Sequence, residues 1–378
     1  MKFIHISDLH LGKRIYEYSL LEEQAHILNQ IIEITDSEKP DGVLIAGDVY
    51  DKPIPPAEAV KLFDDFLVRL SQRKTEVFVI SGNHDSPERI AFGARIMSAG
   101  GIHLSPVYNG EIEPFSMSDE YGKVNVYMLP FVKLAHVRCF CDEEIASYTD
   151  AIRAAVSKMR INSAERNVLV THQFVTGAAR CESEEISVGG SDNVDAAVFE
   201  SFDYVALGHL HSPQNCGSPK IRYCGTPLKY SFSEVKDKKS VTVAELLEKG
   251  NMRYKTIELT PLHELVELKG TYEEITLKSF YENTSWREDY THITLTDEED
   301  IPDAISKLKP IYQRLMKLDY DNKRTRNNAI IESAESVETK SPLELFADFY
   351  MLQNNQPMSG EQTDFMKELI EKVWEDEQ

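Results

Sequence analysis

Val77-Phe78-Val79-Ile80-Ser81-Gly82-Asn83-His84-Asp85 decides how the chain is read. Four apolar residues rich in β-branched and aromatic types read as a strand buried on both faces. The strand then breaks into a glycine and three polar residues. The same transition occurs four more times: Phe3–Ile6 runs through Ser7 into Asp8-Leu9-His10, and Val43–Ala46 into Gly47-Asp48. Val168–Val170 runs through Thr171 into His172, and Tyr204–Leu207 into Gly208-His209-Leu210-His211. Between several of these runs lie segments with helical spacing. Leu20, Leu21, Ile27, Leu28, Ile31 and Ile32 form one set, and Val60, Phe63, Leu67 and Leu70 another. Strands alternating with amphipathic helices make a layered α/β domain. Five such strands side by side would gather their polar ends at the C-terminal edge, where open α/β sheets bind ligands.

The gathered side chains suit metal ions. Asp8 and His10 are two residues apart, as are His209 and His211, so in extended chain each pair points one way. Gly47, Gly82 and Gly208 each precede a key residue and would let the chain turn sharply and approach an ion. Asp8, His10, Asp48, Asn83, His172, His209 and His211 mix carboxylate, imidazole and amide oxygen and contain no thiolate. That set departs from the all-oxygen shells of Mg²⁺ and Ca²⁺. It fits Mn²⁺ best, with Fe²⁺ and Zn²⁺ also compatible. A lone histidine at a strand end is ordinarily a satisfied polar group, the reading given to His5, His26, His103, His136, His263 and His292. The five histidines of the strand-end motifs differ because the motifs recur in one setting.

The 378 residues are 42% apolar, enough for two or three domains with large cores, and carry a formal charge of −22. An acidic surface is unusual for a nucleic-acid enzyme, since phosphate binding usually rests on Lys and Arg. Two divalent ions against the carboxylates of Asp8 and Asp48 would nevertheless make the site locally positive. Cys139, Cys141, Cys181, Cys216 and Cys224 are odd in number and contain no C-x-x-C pair, as expected of reduced thiols in a cytoplasmic protein. The opening residues lack a signal-peptide core, and no apolar run has the length of a membrane span.

In their order, the motifs D-x-H, G-D, G-N-H-D, T-H and G-H-x-H resemble those of the calcineurin-like metallophosphoesterases over roughly residues 1–258. More narrowly, Ile6-Ser7-Asp8-Leu9-His10-Leu11-Gly12, Gly208-His209-Leu210-His211-Ser212-Pro213-Gln214 and Tyr223–Glu234 resemble the D subunits of bacterial SbcCD nucleases. The resemblance implies a sandwich of two sheets flanked by helices. It implies that Asp8, His10 and His211 hold one metal, that Asn83, His172 and His209 hold a second, and that Asp48 bridges them. It makes His84 the catalytic histidine, protonating the leaving oxygen, with Asp85 orienting its ring. Archaeal relatives carry a second active-site histidine where this chain has Asp51. Lys13, Arg14, Arg89, Lys220, Arg222 and Lys229 are basic residues available to phosphate, each equally readable as a solvated charge.

Residues 1–260 are thus expected to form the nuclease domain. Ser240–Glu245 and Arg253–Leu259 add strands without intervening helices. Residues 261–322 read as a small α+β module, with strands at Glu264–Leu268 and His292–Leu295 and a helix over Pro302–Leu318 bearing Ile305, Leu308, Ile311, Tyr312, Leu315 and Leu318. In the family this module caps the nuclease domain and helps hold duplex DNA. Residues 323–340 read as a polar linker. Residues 341–378 read as two capped helices, starting at Ser341-Pro342-Leu343-Glu344 and Ser359-Gly360-Glu361-Gln362 and separated by Asn354–Pro357. Their apolar faces (Leu343, Phe346, Ala347, Tyr350; Phe365, Met366, Leu369, Ile370, Val373, Trp374) are too small to bury themselves. The segment from Lys340 carries a net charge of −6, which argues for a protein partner over DNA. The family partner is an SbcC-type coiled-coil ATPase, within a heterotetramer built on a nuclease dimer. The family activity is duplex 3′–5′ exonuclease and single-strand endonuclease. The metal motifs alone also admit a phosphomonoesterase or cyclic-nucleotide phosphodiesterase, and a non-catalytic scaffold would have lost ligands that are all present here.

Overall fold

The computed structural model describes residues 1–141, 144–176, 178, 193–323, 325, 343, 346–347, 349–351 and 358–375, without the side chains of 361, 368 and 371–375. Cys181, most of the expected linker, the Ser341-Pro342 helix start and the Asn354–Pro357 break lie outside the described residues. Two compact units divide the chain, Met1–Leu265 and Val266–Gln378.

The first unit is built on two six-stranded sheets. One has the order Met252–Glu258, Ser240–Leu246, Lys2–Ile6, Gly42–Ala46, Glu76–Ile80, Ile102–Leu104. Its last four strands are parallel and its first two antiparallel. The other has the order Gln214–Cys216, Ser218–Tyr223, Tyr204–Gly208, Arg166–His172, Gly122–Leu129, Phe115–Asp119, with the middle four parallel. The five motif strands therefore do not lie side by side. Three belong to one sheet and two to the other, because a two-residue period fixes which faces are apolar and not which strand pairs with which.

Alternate residues explain the layering. Phe3, Leu44, Ala46, Phe78 and Ile80 of the first sheet meet Val124, Val126, Val168, Val170, Tyr204 and Ala206 of the second in a single apolar layer. The outer face of the second sheet buries Tyr127, Leu129, Leu169, Val205 and Leu207 together with Ala151, Ile152, Ala155 and Val156. The last four come from the Tyr148–Ser157 helix, whose start is a Ser147/Asp150 capping box. The Leu21–Glu38 helix buries Ile27, Leu28, Ile31 and Ile32, and the Ala57–Ser71 helix buries Phe63, Phe66, Leu67 and Leu70. Val60, expected on that buried stripe, is exposed instead, and Phe66 is buried.

The second unit contains the three-stranded sheet Leu265–Gly270, Tyr290–Leu295, Arg314–Tyr320, the last two parallel. The helix expected over Pro302–Leu318 is limited to Ala304–Leu308, and the strand Arg314–Tyr320 takes its second half. Pro310 contributes to the stop, since it has no N–H to continue the helical bonding after Lys309. Leu308, Tyr312 and Leu315 are buried as expected, but from three different elements. Farther on, the Gly360–Glu375 helix begins with the expected capping box. The Ser359 N–H donates to Gln362 Oε1 at 2.8 Å, and the Gln362 N–H to Ser359 Oγ at 3.3 Å. Among the described residues no helix is long and apolar enough to cross a membrane.

Candidate metal centre

The strand-end side chains meet where the two sheets approach each other. The Asp8 N–H donates to the Gly47 carbonyl (3.0 Å), the His10 N–H to Asp48 (3.0 Å) and the Leu11 N–H to Val49 (2.9 Å), zipping two loops together. Between sheets, His172 Nδ1–H donates to the Ala46 carbonyl at 2.8 Å, and the His209 N–H donates to Asp8 Oδ1 at 3.0 Å. Asp8, His10, Asp48 and His209 have φ of 53°, 43°, 49° and 103°. Left-handed backbone is rare for such residues and costs energy that surrounding bonds must offset. Asp8 and His10 thus converge through this strained turn rather than through extended strand. Gly47 makes the expected sharp turn, with φ of 85°, whereas Gly82 and Gly208 serve close packing. A Cβ on Gly208 would lie 1.9 Å from the Ala46 oxygen, and one on Gly82 2.0 Å from Asp48 Oδ1. They allow protein to approach protein.

Asp48 lies at the centre. Its Oδ2 is 3.3 Å from His172 Nε2, 3.7 Å from His10 Nε2 and 4.0 Å from His84 Nε2. Asn83 Oδ1 is 2.9 Å from His172 Nε2 and 3.0 Å from His209 Nδ1. Three overlapping groups have ligand atoms within 4.8 Å of one another: Asp8 with His10 and His211, His10 with Asp48 and His84, and Asp8 with Asp48 and His172. His10 is buried, and neither of its ring nitrogens has a hydrogen-bond partner. An orphaned buried imidazole among carboxylates fits a ligand whose counterpart is a cation.

The electrostatics agree. Burial pushes Asp8 up to about 6 against the pull of His172. Burial would raise Asp48 as well, but His172, His10 and His84 outweigh it and hold Asp48 well below the usual carboxylate range. Burial would lower His172, yet Asp48 and Asp8 bring it up to about 9. Burial keeps His10 well below its ordinary value. The carboxylates thus draw positive charge into the cluster. Divalent cations would answer the same demand, and the imidazole, carboxylate and amide donors fit them.

Asp85, expected to orient the His84 ring, takes its hydrogen bonds from the backbone. Its carboxylate accepts the N–H groups of Gly82 (2.9 Å), Tyr50 (2.9 Å) and Val49 (3.1 Å), tying together the Asp48 and Asn83 loops. Burial and the Asp48 charge push it up to about 7, against those donors. The acceptor at His84 Nδ1 is the Asp51 carbonyl, at 3.1 Å.

Other supporting residues carried no assigned role in the sequence. Buried Glu234 lies with Oε1 3.7 Å from His211 Nδ1, and its Oε2 accepts from Lys239 Nζ at 2.6 Å. Burial would raise Glu234, but His211 and Lys239 outweigh it and keep it ionised. Gln24 Nε2 donates to the His10 carbonyl at 2.7 Å, and the Tyr230 hydroxyl to Leu9 at 2.5 Å. Tyr230 and Glu234 fall within the Tyr223–Glu234 stretch, the one signal pointing to them. Of the basic residues, Lys13 is paired with Asp51 and Lys229 with Glu264. Arg222 is buried against Thr242 and Asn215. Arg14 and Arg89 remain exposed and Lys220 half-buried. The six remaining histidines vary in setting, His5 for example being buried between the Tyr204 hydroxyl and the Leu207 carbonyl.

Fold and site define a class. Residues 1–213, more than half of the chain, match the calcineurin-like phosphoesterase family, and the chain belongs to it. Residues 261–354 match the type 5 capsule protein repressor C-terminal domain. The D subunit of the SbcCD nuclease of Staphylococcus epidermidis is 30% identical over 98% of this chain and 98% of its own. Its namesake in Staphylococcus saprophyticus is 33% identical over 84% of each chain. Within the phosphoesterases, then, this chain belongs to the family of SbcCD nuclease D subunits.

Proposed function

We propose that the chain is a Mn²⁺-dependent DNA nuclease, a duplex 3′–5′ exonuclease and single-strand endonuclease, working with an SbcC-type ATPase in the processing of DNA breaks and hairpins in the cytoplasm. The observation that carries the reading is the buried, unpartnered His10 ring within a cluster of seven candidate donors. Asp8, His10 and His211 would hold one cation and Asn83, His172 and His209 another, with Asp48 shared. Such a pair, when bound, clamps a phosphate, stabilises charge on the attacking and leaving oxygens and makes water a competent nucleophile.

The protein's own groups do the rest. The Asp51 carbonyl takes the Nδ1–H of His84, which leaves Nε2 facing the Asp48 side of the cluster. From there His84 would give a proton to the leaving sugar oxygen. Asp85 holds the Asn83-His84 loop through its three N–H contacts. Glu234 and Lys239 steady His211 from behind.

Residues 261–322 are read as the capping module, 323–340 as the linker and 341–378 as the segment that grips the root of the ATPase coiled coil. Supporting this last reading, Phe349, Met351, Phe365 and Leu369 are exposed on an acidic segment. A homodimer of the nuclease domain is supported by a second patch. Phe92 and Ile96 are 81% and 82% exposed, and Val60 and Phe92 border one apolar groove with Ile90 and Met97.

The test is cleavage of linear duplex and circular single-stranded DNA with Mn²⁺, alongside a phosphomonoester. His84→Ala should lower DNA turnover roughly 10²–10⁴-fold while Mn²⁺ still binds. Phosphomonoester turnover without DNA cleavage, with the ATPase and ATP supplied, would overturn the reading.

A further inference from the structure

We infer that Asp51 is a positioning residue for two histidines at once, His84 through its backbone carbonyl and His10 through its carboxylate. The inference rests on the metal reading of the cluster.

The backbone puts Asp51 between the two rings. Leu11 pairs with Tyr50 in a parallel bridge, and the Asp51 N–H donates to the Leu11 carbonyl at 3.2 Å. The loop after His10 and the loop after Asp48 are therefore fixed against each other. From this position the Asp51 carbonyl lies 3.1 Å from His84 Nδ1. A carbonyl only accepts, so His84 carries its proton on Nδ1 and turns Nε2 toward the site.

The carboxylate faces the other ring. Asp51 Oδ1 is 3.7 Å from His10 Nδ1, while His10 Nε2 is 3.7 Å from Asp48 Oδ2 on the opposite side. The imidazole is thus aligned between an outer carboxylate and the central one. A metal-ligating histidine usually gives its remote N–H to a carboxylate, which fixes tautomer and ring plane and strengthens the bond to the ion. Asp51 is the carboxylate offered to Nδ1, and that nitrogen is buried and has no hydrogen-bond partner. Lys13 keeps Asp51 in place, with Nζ 2.8 Å from the same Oδ1. Lys13 belongs to the turn it stabilises, because its N–H donates to the His10 carbonyl at 3.0 Å. A carboxylate has two oxygens and about four acceptor sites, so it serves Lys13 and His10 together once the ring closes the remaining gap. Were Asp51 only the ion-pair partner of Lys13, its loss would leave metal affinity unchanged.

Mn²⁺ binding to the full chain, measured by titration calorimetry, separates these roles. Asp51→Ala should weaken Mn²⁺ affinity at one of the two sites by about 10–100-fold, with the unfolding midpoint in chelator unchanged. Asp51→Asn keeps an oxygen that accepts the Nδ1–H and should recover most of that affinity. Alanine and wild-type proteins binding Mn²⁺ alike would overturn the inference, as would an asparagine variant as weak as alanine. A measurement on the unaltered chain covers the case in which alanine fails to fold. With diamagnetic Zn²⁺ bound, ¹⁵N–¹H spectra should show both His10 and His84 protonated at Nδ1, and an Nδ1 without its proton on either ring would refute it. A wild-type chain that binds neither Mn²⁺ nor Zn²⁺ would instead refute the metal reading itself.

Discussion

The strand-end cluster and the C-terminal helices break the usual rule of burial in opposite directions. At the cluster, Asp8, His10, Asp48, His172, His209 and His211 are polar and buried, on backbone that is left-handed at four of the six. In the tail, Phe349, Met351, Phe365 and Leu369 are apolar and exposed, and the last two stand on a regular helix opened by a capping box. Burying polar groups is costly unless something meets them, and exposing apolar groups is costly unless something covers them. The first kind of exception asks for a small charged ligand, held by rigid close packing. The second asks for another protein surface, and needs little from the rest of the fold.

If that contrast holds, the cluster should be intolerant of a single methyl group. Gly208→Ala places a Cβ against the Ala46 carbonyl, a backbone atom in the neighbouring sheet, and against His172 Nδ1 at 2.6 Å. Neither can move without parting the sheets. The expected loss is about 4 kcal/mol or more, the range of severe backbone and packing defects, read by urea denaturation of the chelated protein. A loss below about 1 kcal/mol would show that the cluster's backbone is looser than its distances imply, and the comparison would lose its first half.

Metal removal sharpens the contrast at an intermediate scale. A ligand that binds only the folded state stabilises it by about 2.7 kcal/mol at a free concentration one hundred times Kd. Calorimetric unfolding with Mn²⁺ and with chelator should therefore differ by roughly that amount for each occupied site, in the transition of the Met1–Leu265 unit. Equal midpoints in the two conditions would mean that no cation recognises the folded cluster.

The two regions also differ in how far they can be read without coordinates. The cluster's ligands stand at the ends of apolar strands, where the change from Val and Ile to Gly, Asp and His is abrupt, so their types and order mark the site. Their distribution over two sheets was not legible, because alternation carries no pairing information. Nor were Asp51, Glu234 and Gln24, whose roles come from contacts across long sequence separations. The family resemblance places Asp85 at the His84 ring, whereas its hydrogen bonds come from N–H groups, two of them in the Asp48 loop. The Pro302–Leu318 segment misled because Leu308, Tyr312 and Leu315 satisfy helical spacing while serving as a helix end, a turn and a strand. The exposed patch of Phe92 and Ile96 gave no signal, since exposure depends on the tertiary neighbours a residue lacks.

The smallest effect on stability belongs to the tail, and it is the most discriminating. Phe365 is 64% exposed and Leu369 43%, so replacing both by Glu removes little buried area. Each change should alter unfolding free energy by no more than about 0.5 kcal/mol, the usual range for surface substitutions, and DNA cleavage by the isolated chain should stay at the wild-type rate. Association with an SbcC-type ATPase, measured by co-purification and by calorimetric titration, should instead fall sharply. A charge placed in the centre of an apolar interface must be desolvated without a partner, and central aromatic anchors carry a large share of binding energy. Intact association would mean that this helix face is not the contact. A large loss of stability would mean that the face is covered by the chain itself, which would end the contrast with the cluster.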